Sequence, residues 1–369
     1  MAQLKKVRHL ITTLDRGGAE KQLLTLVREQ MLSGRKIEIF PLKGSNELEL
    51  EFLKLGCTVN NSLLLVNPIR QIVMLWKLNG DEDLIIHAHL PQAELIGALS
   101  RRKNEFVISK HVTEVLINKR FVKSFSRHIS LWVTNRASFF IAISEAVLDF
   151  VKSNGELSPA TSARIVHYGY HNFDRSIISK IRDDDWELRL SPENPIVIGT
   201  VSRLVPQKDI WTLLLTFEAL QMKMPNTKLR VLGRGHLDLE LKKFASSLRI
   251  EPNSVEWINH NSNVYDFLNS LDAFVITSKY EGFGLVVLEA MQANVPIIAS
   301  KILPFQEILG EDFPNFCKVG DYETFCARIL ENAAPLLRRQ ILAIQEKRLE
   351  LFSPESMSKK FSDIYCELD

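Results

Sequence analysis

The feature that most constrains the fold of this chain is an alternation of short apolar runs with longer amphipathic stretches. In the N-terminal half, the apolar runs predict strands at residues 6–14, 36–42, 83–88, 105–109 and 138–143, with helices such as 19–33 and 144–153 between them. Strands that alternate with helices are typical of βαβ units, in which the strands run parallel and the helices cover the sheet. The pattern therefore predicts an α/β fold with a doubly wound sheet.

The alternation stops at residues 174–195, a charged segment that has two prolines and no regular apolar period, and then it restarts. Beyond this segment, strands are predicted at 196–202, 227–233, 254–258, 272–278 and 295–300, and helices at 211–223, 237–249 and 263–271. A chain of 369 residues exceeds what a single core usually organises. We therefore predict two domains, 1–175 and 190–352, that are joined by the charged segment and face each other across a cleft.

The composition narrows the class of protein. A net charge of +2 gives no reason to expect a nucleic-acid partner. The four cysteines form no C-x-x-C pairs, which favours reduced thiols in a cytoplasmic protein over a disulfide framework. The N-terminal residues do not resemble a signal peptide, and no apolar run reaches the ~18 residues that a membrane span needs. We expect a cytoplasmic protein, at most peripheral on a membrane.

Ligands of doubly wound sheets bind beyond the carboxyl ends of the strands, so the loops that follow the strands should hold the binding residues. Gly17 and Gly18 lie between the first strand and its helix, where backbone N–H groups can approach an anion. Arg203 and Lys208 flank a proline turn after the first strand of the second domain, and two cations there can hold a diphosphate. The alternatives are a tight turn at the glycines and two solvated cations.

A glycine-rich loop at 232–238, which includes Gly233, also joins a strand to a helix. It lacks the third glycine of a dinucleotide fingerprint, and no acidic residue ends a strand about 20 positions later, so a nicotinamide cofactor is not expected.

Two glutamates bracket the segment, residues 281–289, that is most informative about ligand binding. Glu281 precedes Gly282, Phe283 and Gly284, so it is expected at the mouth of a loop, and the amides of Gly284 and Leu285 are expected at a helix start. Glu289 lies inside an apolar run and is expected to be buried, where a carboxylate needs a partner. That partner is either structural or a ligand diol such as a ribose.

Together these pieces resemble the retaining, nucleotide-sugar-dependent glycosyltransferases of family 4, also called glycosyl transferases group 1. The matching pieces follow the family order: GGAE at 17–20, His111 after a strand, AISEAV at 142–147, SRLVPQK at 202–208, GRG at 233–235, EGFGLVVLE at 281–289, and Glu307 near the usual Pro-Glu pair. The resemblance implies the GT-B fold, two Rossmann-like domains across a cleft, and places residues 353–369 as a helix that packs back on the first domain.

The resemblance also implies roles for the residues. Glu281 would lie near the transferred sugar, Glu289 would bind the ribose, and Arg203 with Lys208 would hold the diphosphate. Gly17 and Gly18 would approach the phosphate and the acceptor, and His111 would lie close to the donor sugar. The other donor-binding positions would be Gly233, Gly282, Phe283, Gly284 and Leu285.

The implied activity is a metal-independent, retaining, hexosyltransferase-type transfer from a UDP- or GDP-sugar to a glycan or lipid-linked acceptor, in polysaccharide or lipopolysaccharide synthesis. No cofactor is implied. A nucleotide-sugar epimerase and a non-catalytic sugar-nucleotide-binding relative stay open as alternatives. The chain departs from the family at His171, where the usual residue is acidic, and at Asn259, where glycine is common.

Three further signals have competing interpretations. His87 and His89 end a strand; they are interpreted as core histidines, as part of the acceptor cleft or as metal ligands, although no third ligand is evident. The acidic runs 81–83 and 183–185 resemble a D-x-D metal motif, but their positions before a strand and in the charged segment favour solvated turns. The segment 101–136 is rich in Lys and Arg interleaved with apolar residues, which favours either an anionic membrane surface or an ordinary solvated helix face.

Overall fold

The computed structural model describes residues 4–80, 83–111, 123–170, 195–258 and 263–369. The chain divides into two compact units, Met1–His171 with Phe352–Asp369, and Asn172–Leu351. Each unit contains one parallel sheet flanked by helices, so the predicted α/β fold with two doubly wound sheets is confirmed.

The sheet of the first unit is built around β1, which pairs with β2 on one side and β4 on the other. The strand order is β3-β2-β1-β4-β5-β6-β7, and every recorded pairing is parallel. The strands are β1 (Lys6–Ile11), β2 (Ile37–Pro41), β3 (Thr58–Val59), β4 (Leu84–His89), β5 (Glu105–Lys110), β6 (Phe139–Ala142) and β7 (Ser162–Ile165). Because the strand order reverses beside β1, the loops after β1 and β4 diverge and leave a crevice at the carboxyl edge.

The helices of the first unit are α1 (Gly18–Leu32), α2 (Glu49–Lys54), α3 (Pro68–Leu78), α4 (Pro91–Ser100), α5 (Lys123–Asn135), α6 (Glu145–Ser153) and, from the far end of the chain, α14 (Pro354–Cys366). Ser353 caps α14 by accepting a hydrogen bond from the Ser356 amide. The buried side chains of Phe361 and Tyr365 join one core cluster with residues of α1 and of β1, β2, β4, β5 and β6.

The second unit repeats the arrangement, with the strand order β10-β9-β8-β11-β12-β13. Its strands are β8 (Ile196–Val201), β9 (Thr227–Leu232), β10 (Val255–Ile258), β11 (Ala273–Ile276), β12 (Ile297–Ser300) and β13 (Phe316–Cys317). Its helices are α7 (Ile210–Lys223), α8 (Asp238–Ser247), α9 (Val264–Asn269), α10 (Leu285–Gln292), α11 (Leu303–Leu309), α12 (Tyr322–Glu331) and α13 (Pro335–Leu349). None of the helices in the described part of the chain combines the length and the apolarity that a membrane crossing requires.

Candidate active site

The loops that follow β8 and β11 meet at the Glu281 carboxylate. Lys208 forms an ion pair with Glu281 Oε1 at 2.5 Å, and the Ser278 hydroxyl donates to the same oxygen at 2.7 Å. Gln207 Nε2 lies 3.4 Å from Glu281 Oε2 and donates more closely, at 2.8 Å, to the Tyr280 carbonyl. Glu281 lies in the loop between β11 and α10 and is only 8% exposed. The carboxylate tolerates burial because it is paired with a cation and hydrogen-bonded.

The same two loops are also tied together through their backbones. The Thr277 hydroxyl lies 3.0 Å from the carbonyl oxygens of both Lys208 and Asp209. Asp209 adopts a left-handed conformation, with φ at 49°, and its carboxylate accepts a hydrogen bond from Thr212 and lies 3.4 Å from Lys279 Nζ. These contacts hold the Lys208 stem in place. Sequence reasoning missed Thr277, Ser278 and Asp209, although hydroxyl side chains at a strand end beside a known carboxylate are a usable signal.

Arg203 does not join this cluster. Its side chain is exposed, and among the described residues it has no hydrogen-bond or ion-pair partner. Of the two cations predicted to act together, the structure thus places Lys208 against Glu281 and leaves Arg203 at the surface of the same loop.

The glycine-rich loop after β9 packs directly on the loop after β8. A Cβ on Gly233 would lie 1.8 Å from the Ser202 carbonyl oxygen, and one on Gly235 would lie 2.1 Å from that of Leu204. The Leu204 amide donates to the Arg234 carbonyl at 2.9 Å, which ties the two loops together. Close backbone approach therefore explains both glycines, and it fixes the loop that carries Arg203.

Helix α10 begins at Leu285, with Gly284 as its N-cap at a φ of 107°. A Cβ on Gly284 would lie 2.6 Å from the Phe305 ring, so both conformation and space require glycine here. Gly282 is half-buried and Phe283 is buried, at 3% exposure.

Glu289 is half-buried, not buried as the sequence predicts. At a helical period of about 3.6 residues, Leu285 and Val286 share one side of α10 with Glu289, and all three are half-buried. Val287, Leu288 and Ala290 instead face the core. In the sequence, the surrounding apolar run conceals this side of α10. Because the side is only half-buried, the Glu289 carboxylate lies within reach of a ligand.

In the first unit, Gly17 caps α1 and Gly18 is its first residue. The Gly17 amide already donates to the Asp15 carbonyl at 2.8 Å. The buried Glu20 carboxylate lies against Gly17, since a Cβ there would meet Glu20 Oε2 at 2.2 Å, and it accepts a hydrogen bond from Thr13 at 2.6 Å. A carboxylate at this helix start disfavours a phosphate there and favours hydroxyl groups as ligands.

Four histidines form a hydrogen-bonded group inside the first unit. His9 on β1 is paired in register with His87 on β4, and His89 follows on the same face of β4. His9 Nδ1 lies 2.9 Å from His89 Nε2, and His89 Nδ1 lies 3.0 Å from His111 Nε2. His111 Nδ1 contacts the Tyr168 hydroxyl.

Burial keeps these rings neutral. It lowers the pKa of His9 to about 4 and the pKa of His87 and His89 well below the ordinary value. Burial, together with the neighbouring charge of Lys110, lowers the pKa of His111 to about 3. His87 and His89 are therefore core histidines, one of the predicted alternatives.

A third potential metal ligand does lie beside His87 and His89, because β1 brings His9 next to them, so the expectation that none is present is wrong. Nitrogen atoms of the three rings lie within 4.8 Å of one another. Hydrogen bonds already engage both nitrogens of each ring: His9 also contacts Gln30, and His87 contacts Tyr365 and Ser109.

Several predictions fall outside the described residues. These are His171, Asn259, the acidic run 183–185, most of the run 81–83, most of the charged segment 174–195, and the middle of the basic segment 101–136.

Comparisons with known proteins place this geometry among the glycosyltransferases. The model of "Glycosyl transferases group 1" matches residues 182–333, and that of "Glycosyltransferase Family 4" matches residues 16–171. An uncharacterized glycosyltransferase of Methanocaldococcus jannaschii is 23% identical over 318 residues, which is 73% of this chain and 76% of the relative. The capsular polysaccharide biosynthesis glycosyltransferase CapM of Staphylococcus aureus is 23% identical over 265 residues, 69% of each chain.

Among solved structures, HepE of Anabaena in complex with UDP and glucose has a TM-score of 0.77 at 20% identity, covering 98% of this chain and 99% of HepE. The likeness confirms the GT-B fold.

Proposed function

Since this chain belongs to the glycosyltransferases of group 1 and family 4 and has the GT-B fold, we propose that it moves a sugar from a UDP- or GDP-sugar to a glycan or lipid-linked acceptor. The proposal includes a hexosyl donor, retention of anomeric configuration, independence of metal and cofactor, and a place in polysaccharide or lipopolysaccharide synthesis. CapM, a capsular polysaccharide enzyme by name, and HepE, solved with UDP and glucose, support the donor class and the kind of product.

The observation that carries the proposal is the contact between Lys208 and Glu281 beyond the carboxyl ends of β8 and β11. Transfer from a nucleoside diphosphate needs positive charge on the leaving phosphates and negative charge near the oxocarbenium-like sugar. An ammonium has three N–H donors, so Lys208 can hold a phosphate oxygen and Glu281 together. Arg203, exposed on the same loop, can add a bidentate contact to the diphosphate.

Two further carboxylates suit sugar hydroxyls. Glu289 is half-buried on α10, one to two helical turns past the Gly284 cap, where it can accept hydrogen bonds from a ribose diol. Glu20 at the start of α1 is suited to a hydroxyl of the acceptor or of the donor sugar. Because its pKa is about 3, His111 serves as a neutral hydrogen-bonding group, not as a general acid.

The test separates binding from turnover with two variants. Lys208→Met removes the phosphate contact and should weaken stabilisation by UDP or GDP in a thermal-shift assay. Glu281→Gln frees Lys208 for the phosphates, so nucleotide binding should be kept or strengthened while sugar transfer falls roughly 10²–10³-fold. Lys242→Met, which removes an exposed ion pair with Asp238 on α8, is the matched control and should change neither.

No stabilisation of the wild-type protein by any nucleotide or nucleotide sugar would count against the whole proposal. Incubation with the donor alone distinguishes the epimerase alternative, because epimerisation needs no acceptor. Nucleotide binding without turnover under any condition would favour the non-catalytic alternative.

We also propose that the first unit docks on an anionic membrane surface where a lipid-linked acceptor is presented. Within the described part of the basic segment, Trp132 is 42% exposed beneath Arg136, whose guanidinium lies 5.1 Å from the ring. On α3, Ile69 is 75% exposed and Trp76 is 48% exposed, and the guanidinium of Arg102, from the start of the basic segment, lies 4.6 Å from the Trp76 ring. Exposed apolar side chains beside cations suit the boundary between lipid headgroups and acyl chains.

Flotation with vesicles tests this proposal. Binding to vesicles that contain phosphatidylglycerol, but not to pure phosphatidylcholine, is expected at low salt and should weaken at high salt. Ile69→Ser should reduce binding, whereas Leu239→Ser, at a residue 73% exposed on the second unit, should not. Equal binding by both variants and the wild type would remove α3 from the docking surface.

A further inference from the structure

One buried amide, Gln30 of α1, lies at the junction of two hydrogen-bonded branches in the first unit. Its Oε1 contacts His9 Nε2 at 2.9 Å, and its Nε2 donates to the Tyr365 hydroxyl at 3.2 Å. From His9 the first branch continues through His89 and His111 to the Tyr168 hydroxyl. Gln30 is 2% exposed, so water does not substitute for either contact.

The amide oxygen sets the direction of every bond in the first branch. An amide oxygen only accepts, so His9 must carry its proton on Nε2. A neutral imidazole then accepts at its other nitrogen, so His9 Nδ1 accepts from His89 Nε2–H. The same rule makes His89 Nδ1 accept from His111 Nε2–H, and it makes the Tyr168 hydroxyl donate to His111 Nδ1.

The second branch starts from the same side chain. The Tyr365 hydroxyl accepts from Gln30 and can donate its own proton to His87 Nδ1, 2.7 Å away. His87 then carries its proton on Nε2, which lies 2.8 Å from the Ser109 hydroxyl.

We propose that Gln30 is a positioning residue that, through His9 and His89, holds His111 as its Nε2–H tautomer and commits the Tyr168 proton to His111. His111 then presents no N–H to a ligand, and the Tyr168 oxygen can only accept. Resting on the proposed function, this makes the His111–Tyr168 pair a fixed acceptor for one substrate hydroxyl at the carboxyl edge of the first sheet. If the His111–Tyr168 pair instead offered a hydrogen-bond donor, it would recognise an acceptor atom of the substrate.

A metal centre on His9, His87 and His89 is the competing interpretation of the same residues. Two nitrogen ligands of tetrahedral zinc, each ~2.0–2.1 Å from the ion, lie ~3.3 Å apart. His9 Nδ1 and His89 Nε2 are 2.9 Å apart, which is a hydrogen-bond distance. The hydrogen-bonded network explains every nitrogen of the three rings without an ion.

Nitrogen NMR of the full-length, ¹⁵N-histidine-labelled protein near pH 7.5 reads the tautomers directly and does not depend on activity. Single His→Gln variants assign the signals. In the wild type, His9, His87, His89 and His111 are all expected to carry the proton on Nε2. An Nδ1–H signal at His111 would overturn the proposal, as would the shift pattern of metal ligation with stoichiometric zinc in the purified protein.

Variants then locate the residue that sets the tautomer. Gln30→Met keeps the side-chain length but removes the amide, so His111 should become a mixture of tautomers. Tyr168→Phe removes the opposite end of the branch and should leave His111 as Nε2–H. Gln71→Met is the matched control, since it removes a buried amide that donates to the Leu42 and Leu63 carbonyls away from the histidines. It should leave all four signals in place.

If Gln30→Met does not fold, Tyr365→Phe replaces it. That variant removes the acceptor that orients the Gln30 amide, and a smaller shift of His111 toward Nδ1–H is expected. Unchanged His111 signals in whichever variant folds would show that Gln30 does not set the tautomer.

Kinetics test the functional consequence separately. Gln30→Met should raise the KM for one substrate about 3- to 10-fold with little change in kcat, which is the range set by one net hydrogen bond. Tautomers as expected together with an unchanged KM would overturn the role in substrate recognition. Absence of transferase activity in the wild type would instead contradict the proposed function and leave the tautomer assignment standing.

Discussion

Lowering the pH from 7 to 5 should destabilise the first unit strongly while the second unit stays almost unaffected. The unfolded chain protonates its histidines near pH 6.5, whereas burial lowers the pKa of His9 to about 4 and the pKa of His87 and His89 well below the ordinary value in the folded unit. Below pH 6.5 the unfolded state therefore binds more protons, so stability is full above about pH 7 and falls as the pH decreases.

The magnitude follows from linkage. A histidine with an unfolded pKa of 6.5 that stays neutral when folded favours unfolding by a factor of ~25 between pH 7 and pH 5, which is about 2 kcal/mol. The three rings that are at most 1% exposed together give about 6 kcal/mol, comparable with the whole stability of a typical domain, and the half-buried His111 acts in the same direction. Lys110 beside His111 and Arg35 beside Tyr365 are the cations that face the group, and each is paired with a carboxylate, Glu94 and Asp369 respectively. Glu20, which faces Tyr168, is a further negative charge near the end of the first branch.

Hydrogen exchange read by mass spectrometry, with intrinsic rates corrected for pH, measures this for each unit in one sample. Peptides of β1 and β4 should lose ~10⁴-fold protection between pH 7 and pH 5, while those of β8 and β11 serve as the internal control. A His87→Gln variant, which lacks one of these rings, should lose ~25-fold less protection than the wild type over the same pH interval, whatever its starting stability. Equal loss of protection in both units, or a flat response of the first unit, would refute the reasoning.

Three further outcomes follow from the packing. Gly235→Ala should lower the melting temperature of the second unit and its response to nucleotide, since the new Cβ would meet the Leu204 carbonyl at 2.1 Å; Gly320→Ala, where a φ of 78° strains alanine but no atom lies within 4 Å of the new Cβ, shows the cost of conformation without a clash. Gly284→Ala should cost about 1–3 kcal/mol of stability and weaken nucleotide binding, because a φ of 107° strains any other residue, as denaturant titration with and without UDP can measure. Arg35→Met should destabilise the first unit by about 1–3 kcal/mol in urea, because it breaks the buried pair with Asp369 at 3.0 Å; Arg164→Met, which breaks an exposed pair with Glu367, should cost less than about 1 kcal/mol.

Apolar periodicity predicted most of the sheet, because long buried strands such as β4 and β8 leave a clear signal. The edge strands β3, β7 and β13 were missed, since β3 and β13 have only two residues each and β7 has four, too few to show a period. The helix α10 was predicted from its start, but the run around Glu289 looked buried on all sides because about two turns of mostly apolar residues conceal one half-buried side.

At the candidate site, residue types identified the chemistry but not the contacts. Lys208 and Glu281 were each predicted to bind substrate, and neither prediction anticipated their pairing, since it depends on how two loops 73 positions apart meet. The histidine branches were harder still. Because alternate residues of a strand face the same side, the sequence places His87 and His89 on one face of β4. No local pattern connects these histidines with Gln30. Nor does any local pattern connect Gln30 with Tyr365, which lies 335 positions further along the chain.

The position of Tyr365 in the chain has a consequence for the order of folding. The first unit is discontinuous: its core takes Phe361 and Tyr365 from a helix that follows the whole of the second unit. During synthesis, β1 and β4 emerge early, yet the acceptor that orients Gln30 emerges only after residues 172–351. The second unit, being continuous, can complete its core first. Stalled nascent chains that end before α14 should therefore show protease-resistant second units and protease-sensitive first units, and resistance of the first unit should appear only once α14 has left the ribosome.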